Sequence, residues 1–237
     1  MYGWRARIGL IIPSLNVTIE PELNAMAPEG VSIHVTRLLL EKGTADELHK
    51  MASDVEKAGT LLSTATVDII VYACTTGSLL GGKGWEMDII KRIEHKTDTQ
   101  AMTTAGAVIE ALKELNITRV AVATPYIDEL NNREKRFIEE HGIGVVRIEG
   151  LGFTKGEELH NLSPEVAYSL GRKVDRDEAQ AVFLSSTDLK TIGIIEALEK
   201  DIGKPVVSSN TATLWAALRR LEIKEPIEGY GELLRRV

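Results

Sequence analysis

Arg7-Ile8-Gly9-Leu10-Ile11-Ile12-Pro13-Ser14 has a counterpart 112 residues further on, Arg119-Val120-Ala121-Val122-Ala123-Thr124-Pro125-Tyr126. Each is a basic residue, a short run of apolar or small residues, then proline and a polar residue, the pattern of a strand buried on both faces and closed by a loop. The same offset carries Cys74, which ends the run Asp68-Ile69-Ile70-Val71-Tyr72-Ala73, onto Ser186, which follows Ala181-Val182-Phe183-Leu184-Ser185. Met102-Thr103-Thr104 and Val207-Ser208-Ser209 repeat at about that spacing. Duplicated lobes with small insertions account for all three pairs. The alternative is that parallel strands ending in Ser or Thr simply look alike. The two-lobe reading divides the chain into 1–115 and 116–221, with 222–237 available to complete the first lobe.

Working outward, strands are expected at 7–12, 32–38, 68–73, 100–103, 119–124, 144–148, 181–185 and 205–208. Amphipathic stretches separate them, among them 44–65, 105–115, 128–141, 164–176 and 211–221. Thr44-Ala45-Asp46-Glu47 and Ser163-Pro164-Glu165 read as helix starts, the second with proline at the first helical position. Strand-helix-strand order implies right-handed crossovers. The fold class is therefore α/β: two pseudo-symmetric lobes, each a short parallel sheet flanked by helices, with the active site between them.

Composition narrows the function. A formal net charge of −7 and a pI near 5.4 argue against a nucleic-acid partner, which needs clustered Lys and Arg. One cysteine rules out an intrachain disulfide and a cysteine-based zinc site, and suits a reducing compartment. No apolar stretch approaches the roughly 20 residues of a membrane span, and no signal-peptide pattern is visible. A cytoplasmic chain without membrane attachment is expected. The histidines, His34, His49, His95, His141 and His160, lack metal-ligand spacing, and Gly77, Gly81, Gly82 and Gly84 fit neither phosphate-binding glycine motif. Neither metal nor cofactor is expected, and the glycines are read as a flexible lip.

Four strand ends carry small polar groups: Pro13-Ser14-Leu15-Asn16, Cys74-Thr75-Thr76, Thr124-Pro125-Tyr126 and Ser185-Ser186-Thr187. Hydroxyls and free N–H groups converging on a cleft make a neutral, donor-rich pocket suited to a carboxylate or a developing enediolate. A thiol at a strand's carboxyl end, beside a helix N-terminus, can be activated as a nucleophile or proton carrier; a lone cysteine is also commonly a buried small hydrophobe. Ser14 and Thr75 read equally as helix caps, Asn16 as a turn residue and Tyr126 as a buried ring. Asp188 and Lys190, just after Ser186, could serve an active site but read first as a helix-start acid and a solvated lysine; Arg37 could pair with a substrate carboxylate but reads first as one half of a surface ion pair, and 129–135 reads as a solvated helix face.

Pro13-Ser14-x-Asn16 with Glu20, Tyr72-Ala73-Cys74-Thr75-x-Gly77-Ser78, and Thr124-Pro125-Tyr126 resemble the maleate isomerase and arylmalonate decarboxylase group of the aspartate/glutamate racemase superfamily. The resemblance runs over essentially the whole chain and implies a cofactor-independent site between two lobes. It assigns Cys74 as catalytic nucleophile, Asn16 and Tyr126 as ligands of a substrate carboxylate, Asn161 as a weaker match to a further one, and Thr75 and Thr76 as oxyanion donors. Ser14 and Thr187 join them as substrate-binding candidates at the strand ends. Where the family usually has a second cysteine, this chain has Ser186. A serine hydroxyl is too weak an acid to replace a thiol in two-base racemisation. What survives is cis-trans isomerisation of a small unsaturated dicarboxylate. The alternatives are arylmalonate-type decarboxylation with Cys74 as proton donor, and non-catalytic carboxylate binding. A homodimer or larger homo-oligomer is expected from the family.

Overall fold

Each sheet is built around a strand whose residues are almost all apolar. In the computed structural model, which describes residues 2–237, β1 (Ala6–Pro13) is followed by α1 (Ile19–Met26), β2 (Val31–Leu38), α2 (Ala45–Ala52), α3 (Val55–Ser63), β3 (Ile69–Tyr72), α4 (Thr75–Leu79), α5 (Trp85–Thr97), β4 (Ala101–Thr103) and α6 (Thr104–Glu114). The second lobe runs β5 (Arg119–Thr124), α7 (Asp128–Glu140), β6 (Gly144–Gly150), α8 (Gly156–His160), α9 (Pro164–Val174), β7 (Ala181–Leu184), α10 (Ile195–Ile202), β8 (Val206–Ser208) and α11 (Ser209–Arg220). Both sheets are parallel, ordered β2-β1-β3-β4 and β6-β5-β7-β8. Central strands buried on both faces explain the unbroken apolar runs.

The repeat extends to hydrogen-bond register. Ile8 pairs with Ile69 in the first sheet and Val120 with Ala181 in the second, both members displaced by 112 residues. Arg7 and Ser32 map in the same way onto Arg119 and Gly144. In the β5–β6 pair the match ends at a bulge between Val120 and Ala121, where β6 carries one unpaired residue, Val146. The chain thus has two copies of one strand arrangement.

Two expectations are corrected. The stretch 44–65 is two helices, because the Ser53 side chain donates to the Lys50 carbonyl at 2.6 Å and turns the chain out of the helical ladder. Of the glycines read as a flexible lip, Gly77 and Gly81 are packed in place, while Gly82 and Gly84 lie at left-handed φ in the turn before α5. Gly77 lies within α4, its carbonyl accepting from the Trp85 indole N–H at 2.9 Å, and the Trp85 ring lies where a side chain on Gly81 would have to go.

A single apolar core joins the lobes: Leu10 and Val71 belong to the same buried cluster as Val122 and Phe183, with α6 and α11 between the sheets. The facing starts of those helices meet through the Thr104 and Thr213 hydroxyls at 2.9 Å. Residues 222–237 straddle both lobes. Glu225 pairs with Arg5, and Tyr230 donates to the Ala25 carbonyl, in the first lobe; the Glu232 N–H donates to the Glu199 carboxylate in the second.

Candidate active site

The carboxyl ends of β1, β3, β5 and β7 open on a cavity of about 70 Å3 between the lobes. Asn16, Cys74, Thr75, Thr76, Tyr126, Ser186 and Thr187 all line it. Seven of the nine residues predicted from the sequence are therefore brought together.

Cys74 follows β3 directly and caps α4. Its Sγ accepts from the Gly77 N–H at 3.3 Å, with the Thr76 hydroxyl at 3.9 Å. The motif's glycine has a steric cause: a Cβ on Gly77 would stand 3.0 Å from Cys74 Sγ and 2.7 Å from Tyr72 Oη. A helix start was expected to favour the thiolate. Instead α4 is one turn long and Cys74 only 4% exposed, so desolvation outweighs the Gly77 and Thr76 contacts and pushes the thiol up to about 11. Near neutrality the free thiol keeps its proton.

Ser186 occupies the corresponding place after β7. Its φ of 123° is one that side chains rarely adopt, and two contacts hold it: the Ser186 N–H donates to Ser209 Oγ at 3.0 Å, and Ser186 Oγ accepts from the Asp188 N–H at 3.1 Å. Thr75 Oγ donates to the same Ser209 hydroxyl at 2.9 Å. One serine at the start of α11 therefore fixes a residue on each wall.

Asn16 is both the turn residue and the cavity residue that the sequence offered as alternatives. Its Oδ1 accepts from the Thr18 and Ile19 N–H groups, while Nδ2 reaches across the lobes to Thr187 Oγ at 2.9 Å. The Tyr126 phenol neighbours the Ser186 and Ser185 hydroxyls and is raised by desolvation, with Glu134 and Cys74 adding to the shift. A phenol so placed donates and does not ionise.

Ser14 and Asn161 do not reach the cavity. Ser14 Oγ exchanges hydrogen bonds with the Leu40 backbone, holding the loop that brings the Leu40 side chain to the wall. Asn161 is exposed, and its amide donates to the Glu157 carbonyl. Arg37 forms the expected ion pair with Glu20 at 3.0 Å. Lys190 is not solvated: its ammonium donates to the His160 and Leu162 carbonyls and ties down the loop beside the cavity.

Two further residues line the cavity, and a third is buried beside Ser185. Asp188 lines the cavity; its Oδ1 accepts from the Val17 N–H, its Oδ2 lies 3.4 Å from His160 Nε2, and burial raises its carboxyl. Lys155 is the only cationic residue lining the cavity among the described residues. Glu134, within the stretch read as solvated, is instead 1% exposed. Its signal was periodicity: Leu130, Glu134, Phe137 and Ile138 share the buried face of α7.

Fold and site define a class: two-lobed α/β enzymes with one thiol in a donor-rich cavity at the facing strand ends. The sequence profile of the arylmalonate decarboxylase family matches residues 8–234, and the chain belongs to that family. It is 30% identical to a maleate isomerase from Pseudomonas putida over 96% of each chain. Among solved structures, a cysteine-to-alanine variant of the maleate isomerase Iso from Pseudomonas putida with maleate has a TM-score of 0.94 at 29% identity, covering 98% of both chains. A cysteine-to-serine variant of the Nocardia farcinica maleate cis-trans isomerase, with a covalently bound succinylcysteine intermediate, has a TM-score of 0.92 at 27% identity, covering 97% of this chain and 98% of its own.

Proposed function

We propose that the protein is a cofactor-independent cis-trans isomerase of a small unsaturated dicarboxylate, with maleate to fumarate as the reference reaction. The observation that carries this reading is a full-length likeness to maleate isomerases together with a thiol, Cys74, on the wall of the interlobe cavity. The succinylcysteine in a relative that has exchanged one cysteine for serine supports sulfur addition in a site short of one thiol.

Because the Cys74 thiol is protonated near neutrality, attack and proton loss go together. A sulfur electron pair forms the S–C bond, the alkene π pair moves onto the adjoining carboxylate as an enediolate, and the thiol proton passes to an enediolate oxygen. The former double bond then turns as a single bond. Return of the proton to sulfur and cleavage of the S–C bond give the trans diacid. The Thr75 and Thr76 groups and the Tyr126 phenol supply donors to the developing oxyanion, and Asn16 and Thr187 bind a carboxylate. Ser186 orients the substrate from the facing wall and carries no proton. We place the enzyme in the cytoplasm as a homo-oligomer, on its single cysteine and the commonness of symmetric dimers.

Proton NMR of maleate in deuterated buffer tests the reading. Fumarate is expected with the parent protein and not with Cys74→Ala; unchanged maleate with the parent sinks the isomerase assignment. A second reading, arylmalonate-type decarboxylation, is favoured by the apolar wall of Leu40, Leu48, Leu130, Phe153 and Leu159, and by a thiol that keeps its proton for delivery to an enediolate. Of the three leucines at the end of β2, only Leu40 contributes: Leu38 is core and Leu39 is exposed. Release of carbon dioxide from an arylmalonate, with maleate untouched, would establish that alternative.

A further inference from the structure

The groups that the reaction uses are closed off from water. Asn16, Cys74, Thr75, Thr76, Ser186 and Thr187 line the cavity, yet each is no more than 6% exposed. A substrate reaches them only if part of the wall moves. One part of the wall is built to do so. Thr154, Lys155, Gly156 and Leu159, which also line the cavity, come from α8 and the two residues before it. Among the α-helices of the described residues, α8 alone buries none of its residues.

This stretch stands with both feet in the second lobe. Before it, the N–H groups of Leu151, Gly152 and Phe153 donate to the Thr124, Tyr126 and Pro125 carbonyls. After it, the Lys190 ammonium holds the His160 and Leu162 carbonyls. Between the feet, the Glu158 carboxylate accepts from the Thr154 and Lys155 N–H groups, so the first turn of α8 holds its own shape. Two hydrogen bonds join the stretch to the first lobe. The Gly43 N–H donates to the Thr154 carbonyl at 2.9 Å, and His160 Nε2 lies 2.8 Å from the Leu15 carbonyl. A carbonyl only accepts, so that ring nitrogen carries the proton. Asp188 Oδ2, in the second lobe, is 3.4 Å from the same nitrogen. Gly156 lies flat against Leu15: a Cβ there would stand 3.2 Å from Leu15 Cβ and from the His160 ring. Parting the stretch from the first lobe breaks two hydrogen bonds and leaves the core intact, which places it at the low end of local stability.

We propose that residues 154–160 are a lid: α8 swings about its two feet, away from Gly43 and Leu15, to admit a ligand, and closes by remaking both bonds with the His160 ring as latch. The inference rests on the isomerase reading only in taking this cavity as the place of reaction.

A bridge across the seam tests it. Gly43 has no left-handed φ, and an added Cβ meets only the Thr154 carbonyl, at 3.7 Å. In Gly43→Cys combined with Thr154→Cys, oxidation fastens the lid, and mass spectrometry identifies the bridged pair. Alkylation of Cys74 by iodoacetamide at a fixed pH is expected to fall about tenfold or more on bridging and to return on reduction, because the sulfur is reached through the open state. An unchanged rate with the bridge formed overturns the proposal. Should the pair not bridge, His160→Ala carries the test, since His160 does not itself line the cavity and its removal cuts one of the two bonds. Alkylation of Cys74 is then expected to rise about fivefold, the effect of one hydrogen bond. Amide hydrogen exchange should quicken across 154–160 while α6 and α11 keep their rates, which separates lid opening from general unfolding. No rise in alkylation, or a rise accompanied by faster exchange in α6 and α11, also overturns the proposal. A bridge that shuts out iodoacetamide in a protein whose parent leaves maleate unchanged would remove the isomerase reading and leave the lid standing.

Discussion

Cys74 shows two local effects in competition. One N–H from Gly77 and a distant Thr76 hydroxyl favour the thiolate, and removal from water opposes it. The two-unit net rise corresponds to about 3 kcal/mol in favour of the thiol. Alkylation of the free protein by iodoacetamide should therefore accelerate tenfold per pH unit from neutrality up to about 11. A plateau near pH 8.5, the behaviour of an ordinary cysteine, would mean that water reaches the sulfur in the free enzyme. The sequence identified Cys74 and its setting, but not the sign of its shift. A one-turn helix and a dry wall are tertiary facts, invisible in Thr75-Thr76-Gly77-Ser78.

At the scale of elements, burial on both faces made β1, β3, β5 and β7 legible as short, nearly continuous apolar runs, while the half-buried edge strands β2 and β6 were marked by their β-branched residues. Helices were less legible where polar side chains act on the backbone, as Ser53 does, or where a charged residue takes an apolar-face position, as Glu134 does in α7. Asn161 matched a family position in sequence, yet the turn after α8 points it at its own helix. Ser209, missed as a site residue, reads as the first residue of an ordinary helix, although its hydroxyl joins Thr75 after β3 to Ser186 after β7. Replacing it by alanine leaves two buried donors without an acceptor. Ser209→Ala should cost about 1–3 kcal/mol in urea unfolding and lower kcat/KM. A variant as stable and as active as the parent would show that the two walls are positioned independently.

For the molecule as a whole, burial raises the carboxyls of Glu22, Glu134, Asp188 and Glu199 together. Each is an acid whose proton the folded chain keeps after the unfolded chain has released it, so stability is fullest at low pH and declines as pH rises. For Glu134 the window runs from its ordinary 4.5 to about 7, and the loss is on the order of 3 kcal/mol. The urea midpoint should fall between pH 5 and pH 7.5, and fall less in Glu134→Gln. An equal fall in both would locate the effect in the other three carboxyls. The matched registers of the two sheets also bear on stereochemistry. Two copies of one strand arrangement, closed on each other, would show a planar ligand the same chemistry from above and below. With sulfur on one side and a hydroxyl on the other, the two sides are unlike. In the decarboxylation alternative, a prochiral enediolate held there would receive its hydrogen on one face only, and the lost symmetry of the duplicated halves would become handedness in that product.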